Sequence, residues 1–386
     1  MQFDQIIDWM MFEGRLEKDV LKFIDQFCHK LNENHIPVTR LRIGFKTIHP
    51  LLDIWAYIWS KEEGKTIEWG GQHGIRESAS YYGSPAEWVH KHQKPFRRRL
   101  DQLDPEKDHN VLFELAGESL IDYLMLPMKF TDSSIPVITF VTDDKEGFSE
   151  EAVIFLEKLS YYIAPIIEIH AIRKIAVTLL DTYLGHRSGQ RIMEGQIQRG
   201  DGEKIEAAIW FCDLRNFTAL SSNLEENEML QLLNTYFQIL GDSISEQKGE
   251  ILKFIGDAVL AVFPTTKRRS RETVCKAAYK AAQSALRKME ELQIEDPENH
   301  EALKFGIGLH FGEAKYGNIG STNRLDFTII GNAVNLASRI EALTKTEEQN
   351  LLYSEVFANS LDIPSEKLGM YELKGIKKPQ AVYHPL

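Results

Sequence analysis

The sequence predicts an α/β protein of two domains, and three observations carry that expectation. The chain has 386 residues, beyond the size at which a single hydrophobic core usually stops growing. Its first half runs through short strand patterns that lead into a long apolar-periodic helix. Its second half reads strand, helix, hairpin, helix, strand, which describes an α/β sandwich with one sheet face covered by helices.

Composition narrows the class. An apolar fraction of 43% and a charged fraction of 26% are those of a soluble globular protein, and no stretch is apolar and charge-free for long enough to cross a bilayer. The nearest, Tyr161 to Leu180, contains Glu168, His170, Arg173 and Lys174. The first residues place Asp4 and Asp8 where a secretory signal needs positive charge, so a cytoplasmic protein is expected. Cys28, Cys212 and Cys275 form no CxxC pair and read as buried apolar side chains in a reducing compartment. The formal charge of −12 argues against a nucleic-acid surface, which needs clustered positive charge. A nucleotide can still be held where metal ions and a few placed cations neutralise it locally. Arg97-Arg98-Arg99 and Lys267-Arg268-Arg269 read as solvated surface.

Taken in order, TRLRIGFKTI, LLDIWAYIWS, TIEWGG, LIDYLMLPMKF and PVITFVTDD are strands separated by turn residues. Ser149 caps the next helix, where Leu156, Leu159, Ile163 and Ile166, then Val177, Leu180 and Leu184, recur at three-four spacing. That face is either a parallel coiled-coil seam between protomers or the packing face of its own domain, and Pro165 would kink the helix or shift its boundary. The aromatics and histidines of this half make no haem or metal pattern. DTYLGHRSGQRIMEGQIQRGDGEKIEA has the composition of a connector. AAIWFCDL is then a strand, Met229, Leu232, Leu233, Tyr236, Phe237 and Leu240 share a helix face, and EILKFIGDAVLAVF is a hairpin turning at Gly-Asp. A second helix sets Ala278, Ala281, Ala282, Ala285, Leu286, Met289 and Leu292 on one side.

Two aspartates, Asp213 and Asp257, stand where a strand gives way to a turn. Brought together, they would be hard oxygen ligands for Mg²⁺; a lone aspartate at a strand end is more often a turn former. Their setting decides between these readings. FCDLRNFT, KFIGDAVLAVF and IIGNAVNLASRIEALT follow one another at the spacing of class III adenylate and guanylate cyclases, which residues 178 to 386 resemble. The resemblance implies a ferredoxin-like core, a head-to-tail homodimer with active sites built from both chains, and conversion of ATP to 3′,5′-cyclic AMP and pyrophosphate.

Residue by residue, the resemblance implies that Asp213, Asp257 and the Leu214 carbonyl hold two ions per site, Mg²⁺ or Mn²⁺. Backbone N–H groups of Asn216, Phe217 and Thr218 would cradle phosphates. Asn335 and Arg339 would orient the ribose and neutralise the α-phosphate, and Lys374 would touch the triphosphate. Lys253 and Thr328 would read the base: the ammonium donates to adenine N1, and the hydroxyl accepts from the N6 amine. Thr328 in place of aspartate resembles a bacterial-type, bicarbonate-responsive subgroup, with Asp326 only a neighbour of the site. A guanylate cyclase is disfavoured by Lys253, and a diguanylate cyclase needs a GG[DE]EF-like turn that FIGDAVL lacks. An inert dimeric signalling module is disfavoured because every catalytic type stands in one chain.

Residues 20 to 172 resemble a GAF-type sensor in pattern, through LPMKF, VITFVTDD and the helix start GFSEEAVIFLEKL. This implies a small-molecule or redox input passed along the long helix to the dimer interface. The domains expected are a GAF-like regulatory domain over 1–172, a helical and polar connector over 173–204, and the catalytic domain over 205–386.

Overall fold

A computed structural model describes residues 2–198, 200–217, 220, 222, 224–295 and 303–386. The chain divides into two compact units, Met1–Leu179 and Leu180–Leu386.

The first unit contains helices α1 (Gln2–Phe12) and α2 (Val20–Glu33), strands β1 (Arg40–Lys46), β2 (Leu52–Ser60) and β3 (Lys65–Gln72), helix α3 (Pro85–His92), strand β4 (Phe96–Arg99), helix α4 (Asn110–Gly117), and strands β5 (Asp122–Pro127) and β6 (Val137–Thr142). Helix α5 (Glu150–Leu184) follows. The strands form one antiparallel sheet in the order β3-β2-β1-β6-β5-β4. Phe23 and Phe27 of α2 and Leu156, Leu159 and Ile163 of α5 pack with Ile43, Tyr57 and Phe140 in one core cluster. Val89 of α3 and Leu112 of α4 pack with Tyr123 and Val141 in another. Period-2 alternation sends successive strand residues to opposite faces, and helices on both faces explain why DYLMLP is apolar almost throughout.

Ser149 Oγ accepts from the Ala152 N–H at 3.2 Å, as its capping role predicts. Leu156, Leu159, Ile163 and Ile166 are buried in their own unit, so the first half of that face packs on its own domain, while Val177, Leu180 and Leu184 are only partly buried. The helix runs through Pro165 without ending. Pro165 is exposed and Tyr161, whose carbonyl loses its partner, is 67% exposed, so water can satisfy the freed group. A different row of α5, Ile154, Tyr161, Ile169 and Ile172, faces outward.

The arginine run corrects the solvated-surface reading. Arg97 donates to Asp122 Oδ2 at 2.8 Å and to the Phe148 carbonyl at 2.6 Å. Arg98 pairs with Asp108 at 2.6 Å, and Arg99 with Asp101 at 2.8 Å. Asp122 is fully buried and also accepts from the Phe148 N–H at 3.0 Å, so this knot ties β4 and β5 to the start of α5. In the other basic run, Arg269 donates to the carbonyls of Lys248 and Gln247 just past a helix end.

The second unit begins its regular structure with α6 (His186–Met193). It continues with β7 (Gly202–Leu214), α7 (Glu226–Glu246), β8 (Glu250–Ile255), β9 (Ala258–Pro264), α8 (Arg271–Glu295), β10 (Phe305–Gly320), β11 (Leu325–Ile330), α9 (Asn332–Thr346), β12 (Leu351–Ser354), β13 (Ser365–Tyr371) and β14 (Gln380–Pro385). The order β10-β7-β9-β8 with antiparallel neighbours is the ferredoxin-like βαββαβ arrangement. Strands β12, β14 and β13 extend it beyond β10, and β11 pairs with the far end of β10.

Helices cover both faces of this sheet, not one. Ala208, Trp210 and Cys212 pack with Tyr236 of α7 and Ala278 and Ala282 of α8. Ala207 and Ile209 pack with Phe327 of β11 and Ala333 and Ala337 of α9. The second cover was illegible because α9 packs through glycines. Gly306, Gly308 and Gly312 alternate along one face of β10, and a Cβ on Gly308 would collide with the Glu341 nitrogen and the Ala337 carbonyl of α9. Within the stretch read as a connector, α6 is tied to the sheet: Ser188 Oγ and Tyr316 Oη lie 2.8 Å apart, and Arg187 and Arg191 pair with Glu203. All three cysteines are free and buried, as expected.

Two stability measurements follow. Gly308→Val should lower the stability of this unit by about 3 kcal/mol through overpacking, read as a lower Tm. Gly241→Ala, whose new methyl meets only Ile251 Cδ1 at 3.9 Å, should raise it by about 0.5 kcal/mol. Burial and then the neighbouring Arg271 push His310 down to about 4 from 6.5, with Nδ1 2.7 Å from Ser354 Oγ. The folded pKa lies below the unfolded one, so the unfolded chain takes up the proton first as the pH falls. Stability should decline from about pH 6.5 to about 4, by about 3 kcal/mol at most, and denaturant midpoints for His310→Gln should show a flatter pH dependence.

Candidate active site

Strand β7 ends at Asp213-Leu214, opposite Gly306 and Phe305 of β10. The β8–β9 hairpin closes at the pair Ile255 and Ala258, leaving Gly256 and Asp257 as its two turn residues. Gly256 takes φ +65°, a backbone that favours glycine. These two chain reversals bring the carboxylates of Asp213 and Asp257 within hydrogen-bonding range of each other. Asp213 is pushed up to about 6, first by burial, then by the hydrogen bond to Asp257 and its like charge.

A third carboxylate, not singled out from the sequence, joins them. Glu341 of α9 is pushed up to about 8 by burial and then by the charge of Asp213, with Arg215 opposing and Asp257 adding. Its side chain lies beside the glycine face of β10. The signal in the sequence was the alternation of glycines in FGIGLHFG, which marks where a helix must approach. Arg215 locks the arrangement: its guanidinium donates to the carbonyls of Thr344 at 3.0 Å and Gln349 at 2.7 Å, at the end of α9.

The donor chemistry fits a divalent cation. Asp213 and Asp257 are two adjacent carboxylates, and among the described residues neither is in an ion pair with a lysine or arginine; Lys345 offsets the charge of Asp213 only as the weakest of its neighbours. Among the described residues no group of three or more His, Cys, Asp or Glu side chains is disposed to hold a metal, which leaves the aspartate pair and backbone oxygen such as that of Leu214.

After Leu214 the chain turns sharply. Asn216 adopts φ +60°, a region asparagine tolerates, and its carbonyl accepts from the Leu220 N–H at 3.0 Å. Phe217 packs on the core under α7. Thr218, the third residue expected to line the phosphates, lies outside the described residues.

The expected base-reading pair is brought to one place. Phe327 and Ile329 point into the core, so Asp326 and Thr328 share the opposite face of β11. Lys253 Nζ of β8 donates to Asp326 Oδ2 at 2.5 Å, which sets the ammonium against the strand face that carries Thr328. Asp326 is therefore the direct partner of Lys253 and not merely a neighbour, and that hydrogen bond lowers its own pKa. The two side chains are 42% and 43% exposed, so the pair is worth at most about 1 kcal/mol and is easily exchanged for another partner.

Asn335 and Arg339 sit one turn apart on the exposed side of α9, while Ala333, Leu336, Ala337 and Ile340 face inward. The loop after β13 packs Leu373 against Leu336 and Ile340, and Lys374 follows it, exposed. Among the described residues no hydrogen bond or ion pair joins Asn335, Arg339 or Lys374 to the aspartate pair or to Lys253. One chain thus presents the carboxylates, the Lys253–Thr328 face and the Asn335–Arg339 row as separate surfaces.

Comparison with known proteins agrees with this geometry. Residues 202–384 match the family described as the adenylate and guanylate cyclase catalytic domain. An adenylate cyclase of Anabaena cylindrica is 35% identical over 169 residues, 44% of this chain and 33% of that protein. A terminal-differentiation-specific adenylate cyclase of Dictyostelium discoideum is 32% identical over 158 residues, 40% of this chain and 7% of that protein. The chain spans a third or less of the length of these relatives. A solved bacterial light-regulated adenylyl cyclase shares the fold over 68% of this chain and 85% of its own, with a TM-score of 0.50 and 23% identity. No helix among the described residues is long and apolar enough to cross a membrane. The match to the adenylate and guanylate cyclase catalytic domain spans the ferredoxin-like sheet whose two chain reversals carry Asp213 and Asp257.

Proposed function

We propose that this protein is an adenylate cyclase, a homodimer that converts ATP to 3′,5′-cyclic AMP and pyrophosphate and is regulated by its N-terminal unit. The observation that carries the reaction is the Asp213–Asp257 pair, two adjacent carboxylates that make no ion pair with a lysine or arginine among the described residues. Two divalent cations, Mg²⁺ or Mn²⁺, on Asp213, Asp257 and the Leu214 carbonyl would favour the ribose 3′-alkoxide and offset charge on the triphosphate. The protein's part is placement. The backbone of Asn216, Phe217 and Thr218 receives phosphate oxygens, and Lys374 adds a cation. Asn335 orients the ribose for in-line attack of its 3′-oxygen on the α-phosphorus, and Arg339 neutralises the charge that grows there as the bond to pyrophosphate breaks.

The base is read by Lys253 and Thr328. On ATP binding the ammonium leaves Asp326 for adenine N1, and the Thr328 hydroxyl accepts from the N6 amine. Guanine presents an N–H donor where Lys253 needs an acceptor, and the mismatched pair would disfavour GTP. Dimerisation is supported by the exposed, unpartnered Asn335 and Arg339, which a second copy can bring to the carboxylates of the first. It is also supported by the outward apolar row Ile154, Tyr161, Ile169 and Ile172 of α5, spaced to meet its counterpart in a parallel pair.

The N-terminal unit, an antiparallel sheet between helical layers, is read as a GAF-like sensor over residues 1–172, with 173–204 connecting it to the catalytic domain. Three free, buried cysteines fit a reducing cytoplasm.

Turnover of ATP and GTP by the full chain, with Mg²⁺ and with Mn²⁺, tests the reaction. Cyclic AMP should form only with metal, and Asp257→Ala should lower kcat at least about 100-fold; cyclic GMP as the main product, or activity that survives Asp257→Ala, overturns the reading. Lys253→Glu should reduce the ATP-over-GTP preference by at least about tenfold. Deleting residues 1–175 tests regulation: basal activity and the response to every added effector left unchanged would sink the sensor.

A further inference from the structure

The first unit carries a partly open cavity of about 710 Å³, within the size range of sites for small organic ligands. Much of its wall is apolar, with Ile54, Ile58, Leu115, Met125, Val137 and Val141. Its charged groups are all of one sign. Arg40, Arg42, Lys46 and Arg76 line it and no carboxylate does, in a chain whose formal charge is −12.

The four cations are not equivalent. Arg40 pairs with Glu118 at 2.9 Å, and Arg76 lies 3.6 Å from Asp53. Lys46 is exposed to solvent. Arg42 is partly buried and, among the described residues, has no ion pair and no side-chain hydrogen bond; its guanidinium lies 5.6 Å from the centre of the Trp69 ring. Burial first, and then Arg40, lower its pKa from the ordinary value, with the Tyr123 hydroxyl opposing. Directly across the β1–β6 ladder from Arg42 stands Thr139. Its side chain is 3% exposed, and its buried Oγ1 makes no hydrogen bond of ordinary geometry, with the Tyr123 hydroxyl as the polar group beside it. Cross-strand partners share one face with Cβ atoms about 5 Å apart, so the Arg42 guanidinium and this hydroxyl meet on the cavity wall.

We infer that this cavity is a binding site for an amphipathic organic carboxylate, its carboxylate on Arg42 and Thr139 and its apolar body along the Ile58, Leu115 and Met125 wall. The planar guanidinium fork matches a carboxylate in two parallel hydrogen bonds. Of the two lining cations without an ion pair, Lys46 stands in solvent and Arg42 is partly buried, so the buried end of the site calls for one negative charge. The aromatics of this half, read from the sequence as core, include Trp69 and Tyr81 on the wall of this cavity. Binding by this unit does not depend on the catalytic reading of the other.

The test is calorimetric titration of the full-length protein with 1-naphthoate and with decanoate, against methyl 1-naphthoate and decanol as uncharged counterparts. At least one carboxylate should bind saturably with a Kd below about 1 mM, and its uncharged counterpart at least about tenfold more weakly. Arg42→Gln should cost about tenfold or more in affinity, Arg42→Lys less, and Thr139→Val a smaller loss, each checked for an unchanged Tm without ligand. If Arg42→Gln does not fold, Arg42→Lys and Thr139→Val carry the comparison. Failure of both carboxylates to saturate, equal binding of the uncharged counterparts, or affinity unmoved in the folded variants would overturn the inference.

Discussion

The approach of α9 to the glycine face of β10 is the constraint on which the catalytic unit depends. A helix axis normally stands off a sheet by the length of its side chains, but at Gly308 the backbones meet. That closeness places Glu341 beside Asp213 and presents the opposite side of the helix, with Asn335 and Arg339, to the exterior. Arg215 makes the placement rigid by spending its guanidinium on the carbonyls of Thr344 and Gln349. The residue next to the first aspartate thus fixes the helix that carries the other functional groups, and the site and the packing of the domain are one structure.

Electrostatics divides along the same lines. An acidic chain concentrates unneutralised carboxylates at the β7 end and the β8–β9 turn, where low local polarity pushes Asp213 up to about 6 and Glu341 up to about 8. A divalent cation is the partner such a site lacks. The cation of β8 is treated in the opposite way. Lys253 is aimed by Asp326 in an exposed pair that costs little to exchange.

The first unit uses its charges to build and, in one place, leaves a charge unspent. Asp122, fully buried, gathers Arg97 and the Phe148 N–H and so joins the sheet edge to the start of α5. Removing either partner would strand a buried charge, which is why the knot can set where the long helix departs. On the other side of the sheet Arg42 stands beside Thr139 with no ion pair among the described residues. A chain that neutralises Arg97, Arg98 and Arg99 so completely leaves this pair facing a cavity.

Much of this was legible in the chain. Local rules found the five longer strands of the first unit, the Ser149 cap, the Gly256-Asp257 turn and the apolar faces of α7 and α8, because alternation, capping and turn chemistry act over a few residues. They missed β4, whose FRRR looks like solvated surface until Asp122, Asp108 and Asp101 arrive from elsewhere in the fold. They singled out Asp213, Asp257, Lys253 and Thr328 but not the pairing of Asp326 with Lys253 or the approach of Glu341 to Asp213, since neither has a local signature. The sequence by itself determined the elements, the ferredoxin-like order and the motifs of the catalytic domain. Only the tertiary structure decided that α9 covers the second sheet face, that Asp326 holds Lys253 and that Arg42 goes without an ion pair among the described residues, because these are contacts between residues distant in the chain and hydrophobic periodicity carries no record of which charges will meet.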